Sequence, residues 1–433
     1  YTFGPSGSER NLENVNDDDP AHATSAGSIT PAALKAVTHE IEKVYDGLDI
    51  HTDGNGTAKK GDTVVSFEGW VTLADTRENT STAKYADQHV SRDAGGNIIK
   101  KNVTYEGQLT GQYANDYQIV DDSNHVISTR SGSGAGQTVT ANLGEQSGKG
   151  TITPRKLNIV MREVEKPYDG TSKNTMGATV TEITNAVASD NITKETLSVK
   201  WNALASAATD PAESDYGRGT GAAFQKNANA SNGTPHDVRY TKMDKAFKDA
   251  FGAQLAGDYE VDDTLYGKGT INRKAITPDD FKVLDAQGNA AKASKVYDGN
   301  ADYKRTAGLK LKPGTGSFVG TDGEHIKFAL GTGGAKFKKT DNTTDTANVA
   351  DAKRVAYDVD VSADSGFDHL LKNYTLNGQN LESGHATATG EGEITRRKLS
   401  LDLVQNSGID KVYDGTSGLV DTATKKWNML TDV

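Results

Sequence analysis

Short stretches of alternating apolar and polar residues run along the chain, separated by breaks rich in Gly, Asn, Asp, Ser and Thr. Leu399, Leu401 and Leu403 alternate with Ser400 and Asp402, and Leu157, Ile159 and Met161 keep the same phase. A period of two predicts strands with one buried face. Asp-Gly pairs close the stretches that follow, and Gly there accepts the positive φ of a tight turn. Pro167 has no N–H to offer a ladder, which places its stretch at a sheet edge or a strand end. One segment breaks the pattern: Met243, Phe247, Phe251 and Leu255 recur every four residues and predict a helix with one apolar face. Phe367, Leu370 and Leu371 predict a shorter helical turn, whereas Leu109, Gly111 and Tyr113 show no helical face.

The pattern repeats. A Lys-Val-Tyr-Asp-Gly motif (Lys-Pro in the second copy) carries Tyr45, Asp46 and Gly47, then Tyr168, Asp169 and Gly170, then Tyr297, Asp298 and Gly299, then Tyr413, Asp414 and Gly415. Successive tyrosines lie 123, 129 and 116 residues apart. A second landmark holds Ile29, Ile152, Ile271 and Ile394, the last three in a Gly-x-Ile context, at spacings of 123, 119 and 123. A third precedes each of the last three: Asp116-Tyr117, Asp258-Tyr259 and Asn373-Tyr374. Three landmarks in one order predict a tandem array. The expected divisions are 1–28, a linker or the end of a preceding repeat, then 29–150, 151–270 and 271–393 as full repeats, and 394–433 as a partial fourth. The expected fold is mainly β: serial β-rich modules, either immunoglobulin-like sandwiches or β-grasp-like sheets with a short helix. Very short junctions between them predict an elongated rod.

Composition narrows the function. Of 433 residues 34% are hydrophobic and 46 are Gly, enough for small ordered domains but low for one large core. The net charge of −11 gives no electrostatic reason to bind nucleic acid or an anionic lipid surface. No apolar run reaches the length of a membrane span. Cysteine is absent, which excludes disulfides, thiolate metal sites and thiol nucleophiles. The start at Tyr1 lacks a signal-peptide layout, so the chain reads as a piece of something longer.

Candidate chemistry is sparse. Gly144-x-x-x-Gly148-Lys149-Gly150 lacks the spacing of a phosphate-binding loop, and Gly217–Gly221 and Gly314–Gly316 read as loops. The nine histidines show no metal-ligand spacing, and no Gly-x-Ser-x-Gly elbow is present. The expectation is no catalytic residue and no cofactor. Calcium is the one cation considered, at Asp121-Asp122, Asp262-Asp263 or Asp358-Asp360-Asp364. The motif lysine reads as a solvent-facing strand end, with an isopeptide bond to an asparagine as the alternative. Asn79, Asn102, Asn191 and Asn342 begin Asn-x-Ser/Thr triplets. For the Tyr-Asp-Gly itself, the expected role is architectural: a packed, hydrogen-bonded tyrosine and an Asp-Gly turn, rather than a ligand contact.

Ile152-Thr153-Pro154-Arg155-Lys156-Leu157, Gly61-Asp62-Thr63-Val64, the four Tyr-Asp-Gly copies and the Leu109-Thr110-Gly111, Ala114, Asp116-Tyr117 block together resemble the YDG-type (MBG-like) repeats of large bacterial surface adhesins of the filamentous-haemagglutinin kind. Leu48 and Asn300 depart from the Thr that follows Gly in that pattern, and Asn272 replaces another Thr. The resemblance implies a β-rich stalk module on an exported protein, at the bacterial surface or secreted, with no catalytic residues. Neighbouring repeats are then the expected partners. The alternative is direct binding of a host glycan or surface protein through the divergent inserts, such as 201–240 or 314–350.

Overall fold

The computed structural model describes residues 28–71, 78–276, 281–314 and 316–400. Leu401, Leu403 and the fourth motif copy, Tyr413, Asp414 and Gly415, lie outside the described residues. The chain is mainly β and divides into two compact units, Tyr1–Arg273 and Lys274–Val433.

In the first unit the alternation of Ala32–Thr38 and Ile41–Val44 feeds one chain segment into two sheets. Ala32–Thr38 pairs antiparallel with Val65–Glu68 and parallel with Tyr117–Val120. Ile41–Val44 then pairs parallel with the end of the long strand Thr138–Thr153, whose other edge takes Lys101–Thr110. Leu34, Val65 and Ile119 on one sheet and Val103, Leu109, Val139 and Ile152 on the other are fully buried or nearly so. Phe67 reaches across to Gly107, where a Cβ would stand 3.3 Å from its ring. The glycine run 144–150 lies inside the Thr138–Thr153 strand, with Gly144 and Gly148 at positive φ, and no helix follows it. That is an irregular strand and not a phosphate loop.

Residues 155–273 of the same unit repeat these ladders. Arg155–Lys156 pairs parallel with Tyr259–Glu260, and Val164–Pro167 pairs parallel with Leu265–Asn272 at the edge of a five-stranded sheet. Pro167 therefore sits on an edge strand. Two helices are inserted here. Helix α1, Lys194–Ala205, starts at Thr193, whose side chain accepts from the Thr196 N–H, and buries Leu197 and Trp201. Helix α2, Met243–Asp258, buries Met243, Ala246 and Phe247, but Gly252 adopts φ 89° and ψ 166° and interrupts it. The four-residue apolar spacing thus marks a helix that bends after Phe251. The Trp201 indole N–H donates to the Thr241 carbonyl at 2.8 Å, fixing α1 beside the strand His236–Tyr240.

The second unit has the same two parallel ladders. Lys274–Ile276 pairs with Tyr374–Leu376, and Ala293–Val296 pairs with the end of His385–Thr395. Its core is Phe337, Val355, Tyr357, Val359, Leu376 and Ile394, all buried. Phe367, Leu370 and Leu371 fall at a 3-10 turn spanning Asp368–Asn373. Leu399 is described outside any strand and 73% exposed, so the expected buried phase does not hold there.

One position explains the Gly of the Gly-x-Ile landmark. A Cβ on Gly150 would lie 2.6 Å from the Tyr85 ring, one on Gly269 2.7 Å from Tyr216, and one on Gly392 3.0 Å from Phe337. Each glycine faces an aromatic ring that leaves no room for a methyl group. Gly269→Ala is therefore expected to lower unfolding stability by about 1–3 kcal/mol through overpacking. Gly257→Ala, where no atom stands within 4 Å of the Cβ position, should leave the urea midpoint unchanged or raise it.

Candidate functional site

Each of the three described motif copies begins at the end of a parallel edge strand, and its lysine turns inward. Lys43, Lys166 and Lys295 have side chains only 0%, 2% and 11% exposed. The reading of these lysines as solvent-facing is corrected: a strand ending in Lys-Val(Pro)-Tyr alternates faces, and the lysine shares the inward face. Burying an ammonium is costly unless all its donors are used.

They are used in the same way three times. Lys43 Nζ donates to Asp46 Oδ1 at 2.5 Å, to the Leu48 carbonyl at 2.5 Å and to the Ile50 carbonyl at 3.0 Å. Lys166 Nζ donates to Asp169 Oδ1 at 2.7 Å and to the Thr171 carbonyl at 2.7 Å, with Thr171 Oγ1 at 3.2 Å. Lys295 Nζ donates to Asp298 Oδ1 at 2.7 Å, to the Asn300 and Asp302 carbonyls at 2.7 and 2.8 Å, and to Asn300 Oδ1 at 3.0 Å. Asn300 thus supplies with its amide oxygen what Thr171 supplies with its hydroxyl. The described partners of Lys43 and Lys166 include no asparagine, the residue an isopeptide bond would need.

Each ammonium also stands over an aromatic ring: Lys43 over Tyr85 at 5.5 Å, Lys166 over Tyr216 at 5.5 Å and Lys295 over Phe337 at 5.7 Å. These are the rings that press on Gly150, Gly269 and Gly392. The ring is therefore enclosed between a cation and a backbone, a geometry that favours the charge through the ring quadrupole. Gly47, Gly170 and Gly299 follow at φ 75°, 76° and 87°, the left-handed region that Asp-Gly turns require.

Burial pushes the Asp46 carboxyl up, but Lys43, the Thr52 hydroxyl and the Leu48 N–H outweigh it and hold it below the usual carboxylate range. Asp169 is likewise pushed up by burial and held low by Lys166 and Thr171. Burial lowers Lys43 despite the opposing pull of Asp46.

The tyrosines differ in their surroundings. Tyr45 is fully buried and Tyr168 is 6% exposed, whereas Tyr297 is 43% exposed. The Tyr45 hydroxyl donates to Asp190 Oδ2 at 3.0 Å, and the Tyr259 hydroxyl donates to the same oxygen at 2.7 Å. The two rings meet edge to face at 5.4 Å. Beside them His89 stacks on Tyr45 and holds Asp258, whose other oxygen accepts the Val90 N–H at 2.7 Å. Arg155 donates from Nε to the Tyr45 carbonyl and from Nη2 to that of Gly54. Burial and Asp190 push the phenols of Tyr45 and Tyr259 well above their usual range, so both remain donors. Sequence reasoning missed Asp190, Val187 and His89. The detectable signal was Val187-Ala-Ser-Asp190 aligned with Val319-Gly-Thr-Asp322.

The acidic pairs serve local ends. Asp121 Oδ1 accepts the N–H groups of Ser123 and His125, Asp262 faces Lys156, and Asp358 accepts the Gly333 N–H. No cluster of three metal-ligating side chains occurs among the described residues. The amide of Asn79 is spent on Asp62 and the Val65 carbonyl. A surface depression in the first unit is lined by Ile50, His51, Lys59, Lys84 and Tyr105, among others. Burial, with Lys59 and Lys43 nearby, pushes the His51 imidazole down to about 4, so it is neutral at physiological pH. Among known proteins, the chain matches no family model, no curated protein and no solved structure.

Two outcomes follow. Lys43→Met leaves the Asp46 carboxylate buried without its cation and should cost about 3–5 kcal/mol in urea unfolding, more than Lys295→Met at its better-hydrated site. Because Asp46 and Asp169 titrate lower folded than unfolded, their stabilisation is complete above the ordinary carboxylate value of about 4 and is lost as pH falls through their folded values. Thermal melts should therefore drop below about pH 4, and less steeply in Asp46→Asn.

Proposed function

We propose that this chain is a non-enzymatic stretch of serial β-rich modules that projects or displays other parts of an exported surface protein, as the resemblance to YDG-type adhesin repeats implies. What supports the reading is one observation: the inward lysine tied to its aspartate, its aromatic ring, the glycine behind that ring and the two parallel ladders recur at Lys43, Lys166 and Lys295. Three closely similar solutions to one packing problem are what an array needs and what a single catalytic site does not. Two successive strands, Ala32–Thr38 and Ile41–Val44, entering two different sheets favour the sandwich over the β-grasp for the first module, and the helices α1 and α2 are insertions in the second. The module boundaries fall near 150, 270 and 393. The role needs no cofactor and no catalytic residue, and it places the chain at a bacterial surface or outside the cell.

Direct adhesion is the second reading. It is favoured by the depression beside His51, where Lys59 and Lys60 stand exposed in an otherwise acidic chain; an anionic glycan suits that charge.

Small-angle scattering of the full chain should return an elongated particle, and a compact sphere would overturn the stalk. A glycan array probed with the full chain should be blank for a passive stalk. Binding to acidic glycans that is lost in Lys59→Glu/Lys60→Glu would shift the assignment to adhesion.

A further inference from the structure

We infer that the face formed by Tyr297 and Gly299 is a docking site for a further module of this chain's own design, one presenting a Val-x-x-Asp turn and a strand-borne tyrosine. The occupant's identity rests on the serial-module reading above; the chemistry rests on the covered version of the same face.

That covered version is the first motif copy. Tyr45 gives its phenol proton to Asp190, its ring meets Tyr259, and a Cβ on Gly47 would stand 3.0 Å from Val187 Cγ1. The third copy holds the same backbone: the Tyr297 N–H donates to the Thr395 carbonyl at 2.9 Å, as that of Tyr45 donates to Thr153 at 2.8 Å. The lysine beneath is tied to its aspartate in both. Yet Tyr297 is 43% exposed where Tyr45 is fully buried, and no atom lies within 4 Å of the Gly299 Cβ position.

Such a face specifies its partner. A phenol buried there is stabilised by an acceptor such as the one Tyr45 finds in Asp190, because an unsatisfied hydroxyl costs more than its hydrogen bond gains. The glycine leaves a recess for a branched side chain, and the ring takes another aromatic edge-on. A carboxylate, a valine and a tyrosine are supplied together by Val187, Asp190 and Tyr259. The same plug is built again in the second unit, where the Val319 N–H donates to the Tyr374 hydroxyl and that hydroxyl donates to Asp322, each at 2.8 Å. In the first unit the matching distances are 2.8 Å for Val187 and 2.7 Å for Asp190. A partner that offers no acceptor there would leave the Tyr297 hydroxyl unsatisfied.

The test compares the full chain with a longer chain in which a second copy of residues 157–273 follows Lys398, preserving the phase of Lys156. Each tyrosine is read by tetranitromethane nitration and peptide mass. Tyr297 should nitrate readily in the parent chain and fall to the low level of Tyr45 in the extended one. Asp190→Ala in the added copy should restore the reaction. Tyr297 reacting equally in both chains, with the added copy's own Tyr259 protected, overturns the proposal. If that Tyr259 is unprotected, Asp190→Ala in the parent decides: Tyr45 must become reactive, and continued protection refutes the assigned chemistry. A parent that sediments as a dimer with Tyr297 protected gives the face to a second copy and also overturns it. An elongated parent whose extended form leaves Tyr297 reactive sinks the docking site alone, whereas a compact parent sinks the serial reading.

Discussion

A buried ammonium that must spend all three hydrogens is the constraint from which the rest of each motif follows. Lys43 can lie inside only if Asp46 and the Leu48 and Ile50 carbonyls come to meet it. Bringing them there forces the chain to reverse within a few residues, and Gly47 at φ 75° supplies the reversal. The charge is stabilised further by the Tyr85 ring, and that ring is held by the strand carrying Gly150. Lysine, aspartate, glycine and the distant Gly-x-Ile landmark are thus parts of one object. A change at any of them is felt by the others, which is the reason they recur together while the sequence between them drifts.

The departures from the motif support this view. The residue after the glycine is Leu48, Thr171 or Asn300, three side chains with little in common. What survives is the donation of an N–H at that position to the aspartate, at 3.1, 2.9 and 3.2 Å, and acceptance by its carbonyl. The requirement lies on the backbone, and the side chain adds an acceptor where it has one. Pro167 makes the same point: the motif strand is an edge strand in all three sheets, so a missing N–H at its end breaks no ladder.

Legibility in the sequence follows from the range of each interaction. Alternation at Leu157 and Met161, the turn at Asp-Gly and the Met243–Phe251 helix are local, and local patterns were readable. Helix α1 was not, because the exposed Val199 and the short run blur the helical spacing of Leu197, Trp201 and Leu204. The lysine was misjudged because charge suggests solvent, and nothing nearby in sequence shows that a ring 42 positions away covers it. Asp190 was invisible for a related reason. It lies 145 residues from Tyr45, in a stretch between motif copies with no landmark of its own, and only its alignment with Asp322 reveals it. Repetition exposes what each copy needs for itself; what one copy needs from another is hidden in the variable parts.

The Tyr45 contact is polar where an apolar one would bury more surface at less desolvation cost. Two phenols share one oxygen of Asp190, and the fully buried Asp258 ties His89 to the neighbouring Val90 backbone. Such an arrangement gains little net free energy, since the carboxylates must be stripped of water. Its value lies in direction. Hydrophobic patches tolerate rotation and sliding, whereas a carboxylate read by two hydroxyls and a backbone N–H read by another carboxylate admit one geometry. Only 34% of this chain is hydrophobic. With so little apolar material to spend outside the cores, aligning successive segments through a few directional bonds is the route that its composition leaves open.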